Sequence, residues 1–235
     1  MTERGMIFNA DMVRAILDGS KTQTRRIAPI SQLKIEPYEH DMVTWNVQFS
    51  KPVKGVTRSY SGGRLSEAEA RQVIASRFCP FGQPGDRLWV REAWMPDAPR
   101  DGTWADVEFY GCKGSPLSMI PERYRKPEHC IHRASWDGSE MVGWTPSIHM
   151  PRWASRITLE ITGVRVERLN DISEDDAKAE GAPTECCVIG DKHFLGFRSL
   201  WRSIYGADSW QANPWVWVIE FKRVEGSDAE TQNHC

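Results

Sequence analysis

The chain contains no long hydrophobic run. Its longest apolar stretches, such as Trp215 to Ile219, fall far short of the roughly 20 residues that span a bilayer. The opening residues, Met-Thr-Glu-Arg, hold no apolar segment of signal-peptide length, so no membrane is expected and the expected location is cytoplasmic. Net charge is nearly absent as well. Thirty Lys and Arg against 32 Asp and Glu leave −2 over 235 residues, which excludes a polybasic DNA coat but not a local basic groove. Cysteine is scarce, six in all with no C-x-x-C pair, so a disulfide scaffold is excluded and reduced thiols are expected.

Motifs are missing too. No P-loop, G-x-G-x-x-G, H-E-x-x-H or G-x-S-x-G occurs, which removes the commonest nucleotide, zinc-protease and serine-hydrolase readings. His129-Cys130-Ile131-His132 holds possible zinc donors, but such short spacings on irregular backbone seldom converge on one tetrahedral ion. No metal and no cofactor are expected. Vicinal Cys186-Cys187 is a poor disulfide candidate because adjacent residues strain the bond geometry.

What the chain does have is tryptophan, 11 of them. An indole suits a core, and it also suits a platform on which a base can stack. Met6-Ile7-Phe8 reads as a short strand. Asn9 is then a good helix N-cap, followed by an apolar stripe of Met12, Val13, Ile16 and Leu17 and a stop at Gly19. Residues 28–83 show no sustained periodicity apart from a helix over about Ser66 to Ser76. Pro84-Gly85-Asp86 is a turn and Arg87 to Glu92 a strand. Residues 96–154 are again irregular, and both stretches read as insertions into a smaller core.

The core resumes near 155. Ile157, Leu159 and Ile161 alternate, and the parity shifts after Gly163 to Val164 and Val166, as at a bulge. Ser173 caps a short acidic helix that runs to Glu180 and stops at Gly181. A second helix carries Phe194, Phe197, Trp201, Ile204 and Tyr205 on one side. Trp215 to Phe221 is apolar on both faces, hence a central strand, and residues 225–235 form a polar tail. The pattern predicts one α+β domain over 1–224. Its core segments are about 1–27, 84–95 and 155–224, folded as a small mixed β-barrel with flanking helices.

The densest polar constellation is Gly19-Ser20-Lys21-Thr22-Gln23-Thr24-Arg25-Arg26. Read plainly, it is a solvated turn with cations near a helix C-terminus. In a continuous strand Lys21 and Thr24 face opposite ways, so they meet only if the backbone turns between them.

Gly19-x-Lys21-x-x-Thr24-x-Arg26 after an amphipathic helix resembles the signature of the ASCH family, a branch of the PUA-like superfamily. The usual pattern has Glu where this chain has Thr24. That departure is shared by the bacterial branch that hydrolyses N(4)-acetylcytidine. Gly85-Asp86-Arg87-Leu88, the block from Leu169 to Glu180, and Val218-Ile219-Glu220-Phe221-Lys222 resemble that branch in the same order. The matching pieces cover less than half of the chain, and the Trp-rich whole resembles long ASCH-type proteins of phages and prophages.

The resemblance implies a PUA-like barrel and a site in which Lys21, Thr24 and Glu180 are catalytic. Gly19, Arg26, Arg91 and Trp89 are then candidate substrate-binding residues. In the implied mechanism a neutral Lys21 takes the Thr24 proton, Thr24 attacks the amide carbon, and Glu180 protonates the leaving amine or orients the lysine. Three functions stay open. One is amide hydrolysis of an acylated cytidine or related nucleoside. The second is non-catalytic binding of RNA or single-stranded nucleic acid, with Lys21, Arg25, Arg26, Arg87 and Arg91 on phosphates and Trp94, Trp104 or Trp153 on bases. The third is a phage protein that binds a host factor through its insertions.

Overall fold

The computed structural model describes residues 1–51, 53–54, 59–97, 117–138, 143–184 and 192–224. Along the chain it forms β1 (Glu3–Ile7), α1 (Ala10–Leu17), β2 (Gln23–Ile27), β3 (Ile30–Pro37), β4 (Val43–Phe49) and β5 (Ser59–Leu65). There follow α2 (Glu67–Phe78), β6 (Arg87–Arg91), β7 (Trp94–Pro96), β8 (Cys130–His132) and β9 (Thr158–Arg168). The last elements are α3 (Glu174–Ala179), α4 (Lys192–Tyr205), α5 (Asp208–Gln211) and β10 (Trp215–Val224). This is a mixed α+β chain. No helix among the described residues is long and apolar enough to cross a membrane.

The chain divides into two compact units, each assembled from three segments. The first takes residues 1–2, 19–86 and 161–222. Its centre is β10, an apolar strand with β2 on one side and β9 on the other. Trp215 to Ile219 are all buried, as expected for a central strand. The antiparallel register with β2 sets Val218 opposite Arg25 and Ile219 opposite Thr24. In β9 the buried positions switch parity from Leu159 and Ile161 to Val164 and Val166, the shift that Gly163 suggests. Against these strands pack α3, α4 and α5 through Ala177, Phe197, Trp201 and Trp210, with Leu169 of the turn after β9 in the same cluster. The α4 face is narrower than expected, because Ile204 is exposed. No sheet closes into a barrel among the described residues. The approach to β2 pairs instead with the end of α3, where the Thr22 N–H donates to the Ala179 carbonyl at 2.8 Å.

Residues 28–83, expected to be irregular, hold the antiparallel meander β3-β4-β5 together with α2. Val47, Phe49 and Trp45 point to one face, where Phe49 and Tyr60 both pack on Phe78 of α2. Ser66 and Glu69 form a reciprocal capping box at the start of that helix, close to the predicted boundary.

The second unit takes, among the described residues, those of 3–18, 87–160 and 223–224. β1 runs parallel to β6, and β6 pairs antiparallel with the Thr158–Glu160 end of β9. Asn9 caps α1 by accepting from the Met12 N–H at 2.8 Å. Residues 117–138 and 143–154 are largely single 3-10 turns around a small core of Trp94, Met150 and Ala154. The tail, Trp104 and the pair Cys186-Cys187 lie outside the described residues.

Candidate functional site

The site is built in the first unit where the segment leading into β2 meets the end of α3. Gly19 has φ +82°, a left-handed conformation that a side chain would strain. It turns the chain out of α1, after which Lys21 pairs with Glu180 in an isolated antiparallel bridge. On the other side, α3 ends in a Schellman motif: the Gly181 N–H donates to the Lys178 carbonyl at 2.9 Å and Ala182 to Ala177 at 3.4 Å. Gly181 carries the required positive φ, +69°. Glu180 is thereby the C-cap residue, its backbone still helical.

Lys21 Nζ donates twice to this one residue, to the Glu180 carbonyl at 2.7 Å and to Oε2 at 2.8 Å. The lysine side chain has 0% exposure and the glutamate 2%. Burial pushes the Lys21 amine below its ordinary range. The Glu180 charge and hydrogen bond oppose that shift, while the like charges of Arg26 and Arg25 add to it. A neutral amine has two hydrogens and one lone pair. In that form, two hydrogens on the Glu180 carbonyl and Oε2 would leave the lone pair for another proton.

Strand alternation sets the rest. Lys21, Gln23 and Arg25 share one face, the face of α3. Gln23 Nε2 donates to the Asp176 carbonyl at 2.9 Å and to its Oδ1 at 3.0 Å. Arg25 Nη1 donates to Glu180 Oε1 at 3.2 Å and Nη2 to Glu167 Oε2 at 3.2 Å. Arg165 reaches Asp176 Oδ1 at 2.7 Å and also binds Glu167 and Glu220. Burial raises the Asp176 carboxyl, but the Gln23 hydrogen bond and the Arg25 and Arg165 charges outweigh it, and the group sits below its usual range.

The sequence-derived candidates therefore part company. Lys21 and Glu180, 159 residues apart, are in contact. Thr24 is buried, 1% exposed, on β2 at the parity opposite Lys21 and Arg25. Arg26 is half-buried and Gly19 exposed. Trp89 and Arg91 belong to the second unit, on β6, where Arg91 stacks on Trp89 at 5.4 Å and also donates to the Ile148 carbonyl. Trp89 lies over Gly5, at which an added Cβ would meet its ring at 2.7 Å.

Sequence reasoning did not single out Glu167 and Arg165, and it placed Asp176 only within the acidic first turn of the helix that Ser173 caps. The available signals were positional: Asp176 and Glu180 are four apart on one helical turn, and Arg165 and Glu167 alternate on one strand face.

Two further expectations meet the structure in the second unit. Trp94 is 0% exposed and edge-on to Trp153 at 5.4 Å, so its ring is unavailable for stacking on a base. In the His129 to His132 stretch, His132 Nε2 bonds the Ala154 carbonyl at 3.0 Å. Burial, with the nearby Asp97, pushes the Cys130 thiol up to about 12, which disfavours the thiolate that a metal would need. Among the described residues no group of three or more His, Cys, Asp or Glu could hold a metal ion. No family model, curated protein or solved structure matches the chain.

Proposed function

We propose that the chain is an ASCH-type protein of PUA-like descent that hydrolyses the amide of an N(4)-acylated cytidine or a related acylated nucleoside. The observation that carries this reading is the buried Lys21–Glu180 contact, at 2.8 Å between residues far apart in the chain. Those are two of the three residues that the resemblance singles out, and the third, Thr24, lies three positions after the lysine.

In this reaction Lys21 accepts the hydroxyl proton of Thr24 as the oxygen attacks the acyl carbon. The C–N bond breaks, the amine leaves with the proton that Lys21 took from Thr24, passed directly or by way of Glu180, and an acyl ester remains on Thr24. Water then cleaves the ester and releases the carboxylate. The closed state, with the lysine side chain 0% exposed, requires the pair to open to substrate. It also requires Thr24 to turn toward Lys21.

The same burial favours a second reading, in which Lys21 is a clamp. A cation at the C-terminus of α3 satisfies an orphan carbonyl and offsets the Glu180 carboxylate at the negative end of the helix dipole. Under this reading the chain binds RNA or single-stranded nucleic acid without turning it over.

Mass spectrometry of the protein quenched during incubation with N(4)-acetylcytidine separates the two. Hydrolysis predicts one acetyl group mapped to Thr24, lost in Thr24→Ala. Turnover with no ester on Thr24 would overturn the covalent step, and no turnover of any acylated cytidine would leave the clamp.

A further inference from the structure

The least expected residue at the site is Arg25. Its side chain is completely buried, and it lies within 3.3 Å of three carboxylates. Nη1 takes Glu180 Oε1, while Nη2 takes Glu167 Oε2 at 3.2 Å and lies 3.3 Å from Asp176 Oδ2. The Phe197 ring covers the guanidinium at 5.9 Å. These three acids come from the end of β9, the first turn of α3 and its C-cap, so the arginine gathers groups from separate elements at one point. A buried ion network of this kind is weak evidence for stability, since apolar packing commonly does as well. Its consequence for Glu180 is more specific. One carboxylate oxygen is held by Arg25 and the other by Lys21.

We propose that Arg25 is a positioning residue that governs the protonation of Lys21 through Glu180. It occupies Oε1, fixes the carboxylate's orientation and shares its charge, so Lys21 meets Oε2 alone. This rests on the amidohydrolase reading for its catalytic meaning. The groups facing Lys21 are Glu180 at the end of α3 and Arg25 and Arg26 on β2. Arg25 itself faces Glu167 on β9 and Asp176 and Glu180 on α3, with Arg165 behind them tied to Glu167, Asp176 and Glu220.

Removing the Arg25 charge gives Lys21 the whole of the Glu180 charge and takes away a like charge. Both changes favour the ammonium form. The amine then becomes a base only at higher pH.

The test pairs two readouts on the full chain, for the wild type, Arg25→Gln and Arg25→Lys. The first is the pH profile of kcat/KM for N(4)-acetylcytidine. The second is the NMR titration of the Lys21 side chain in 13C-lysine protein, assigned by its loss in Lys21→Arg. In R25Q the rising limb and the Lys21 midpoint are expected to move together to higher pH, by about one pH unit. Activity lost at neutral pH is then regained in alkali. R25K keeps the charge and loses the two-point hold, so it moves less in the same direction, and it carries the test if R25Q does not fold.

A profile that keeps its shape and is merely scaled down, with an unmoved Lys21 midpoint, would assign Arg25 a purely structural role and overturn the proposal. If the wild type shows no turnover, the hydrolase reading falls by itself. The NMR midpoint still decides whether Arg25 governs Lys21.

Discussion

At the scale of single residues, one lysine amine in a dry setting decides most of the behaviour. Lys21 loses its hydration and receives two acceptors from Glu180, and burial wins, so the folded amine lies below the ordinary lysine value of 10.5. The unfolded chain therefore binds that proton more tightly than the folded one. Stability contributed by this group rises with pH, from the folded midpoint up to 10.5. Denaturant unfolding across that window should show the wild type gaining on Lys21→Met as pH rises. At neutral pH K21M should lose about 1–3 kcal/mol, because the Glu180 carbonyl and Oε2 are left without a donor. A difference between the two that does not change with pH would mean that the buried lysine is already charged throughout. Lys21 and Glu180 were legible only through the family resemblance, because no periodicity links positions 159 residues apart. Arg25 read as part of a solvated turn, and Asp176 only as a first-turn carboxylate that suits the positive end of a helix dipole.

At the scale of elements, local signals served where capping was explicit. Asn9, Ser66 and Ser173 each accept from a first-turn N–H, and the three helices begin where the sequence places them. Ser66→Ala should lower stability by about 1 kcal/mol, measured by thermal or urea unfolding, while leaving the Lys21 site intact. The meander β3-β4-β5 was hidden for a physical reason. Pro29 and Pro37 bracket β3 and Gly62 and Gly63 interrupt β5, so the alternation in β4 and the middle of β3 is not continued into β5. Trp45 explains the glycine: a Cβ at Gly62 would meet its indole at 2.6 Å.

The segment after Glu180 is held just as closely. An added Cβ at Gly196 of α4 would lie 1.7 Å from the Pro183 carbonyl oxygen, which is backbone and cannot swing away. Gly196→Ala should therefore destabilise by about 1–3 kcal/mol in spite of its better helix propensity. Unchanged or improved stability in G196A would contradict this packing of Pro183 on α4.

At the scale of the whole molecule, each unit draws on three separate stretches of chain. The stretches that resemble the ASCH pattern are distributed over both units. Lys21, Thr24 and Glu180 fall in the first with Gly85 and Asp86, and Arg87 and Leu88 fall in the second. A reading along the chain groups neighbours and could not separate these two sets. Carboxyls in both units are held below their usual values, Glu3 by the Arg152 hydrogen bond and Asp176 by Gln23, Arg25 and Arg165 once desolvation is outweighed. A depressed carboxyl contributes stability that is present above its unfolded value and lost as pH falls through its folded one. Melting temperature should hold above about pH 5 and fall steeply in acid. Asp176→Asn should start lower and fall less steeply, and parallel curves for the two proteins would show that Asp176 contributes nothing to acid sensitivity.

The most direct test of the central claim is release of acetate from N(4)-acetylcytidine by the purified wild type beside K21M, both kept well below their melting temperatures. The account predicts turnover in the wild type and none above background in K21M, with the variant still folded. Equal turnover in the two proteins would contradict it, because the buried amine would then have no part in the chemistry. No turnover in either would leave Lys21 and Glu180 as a clamp between β2 and α3.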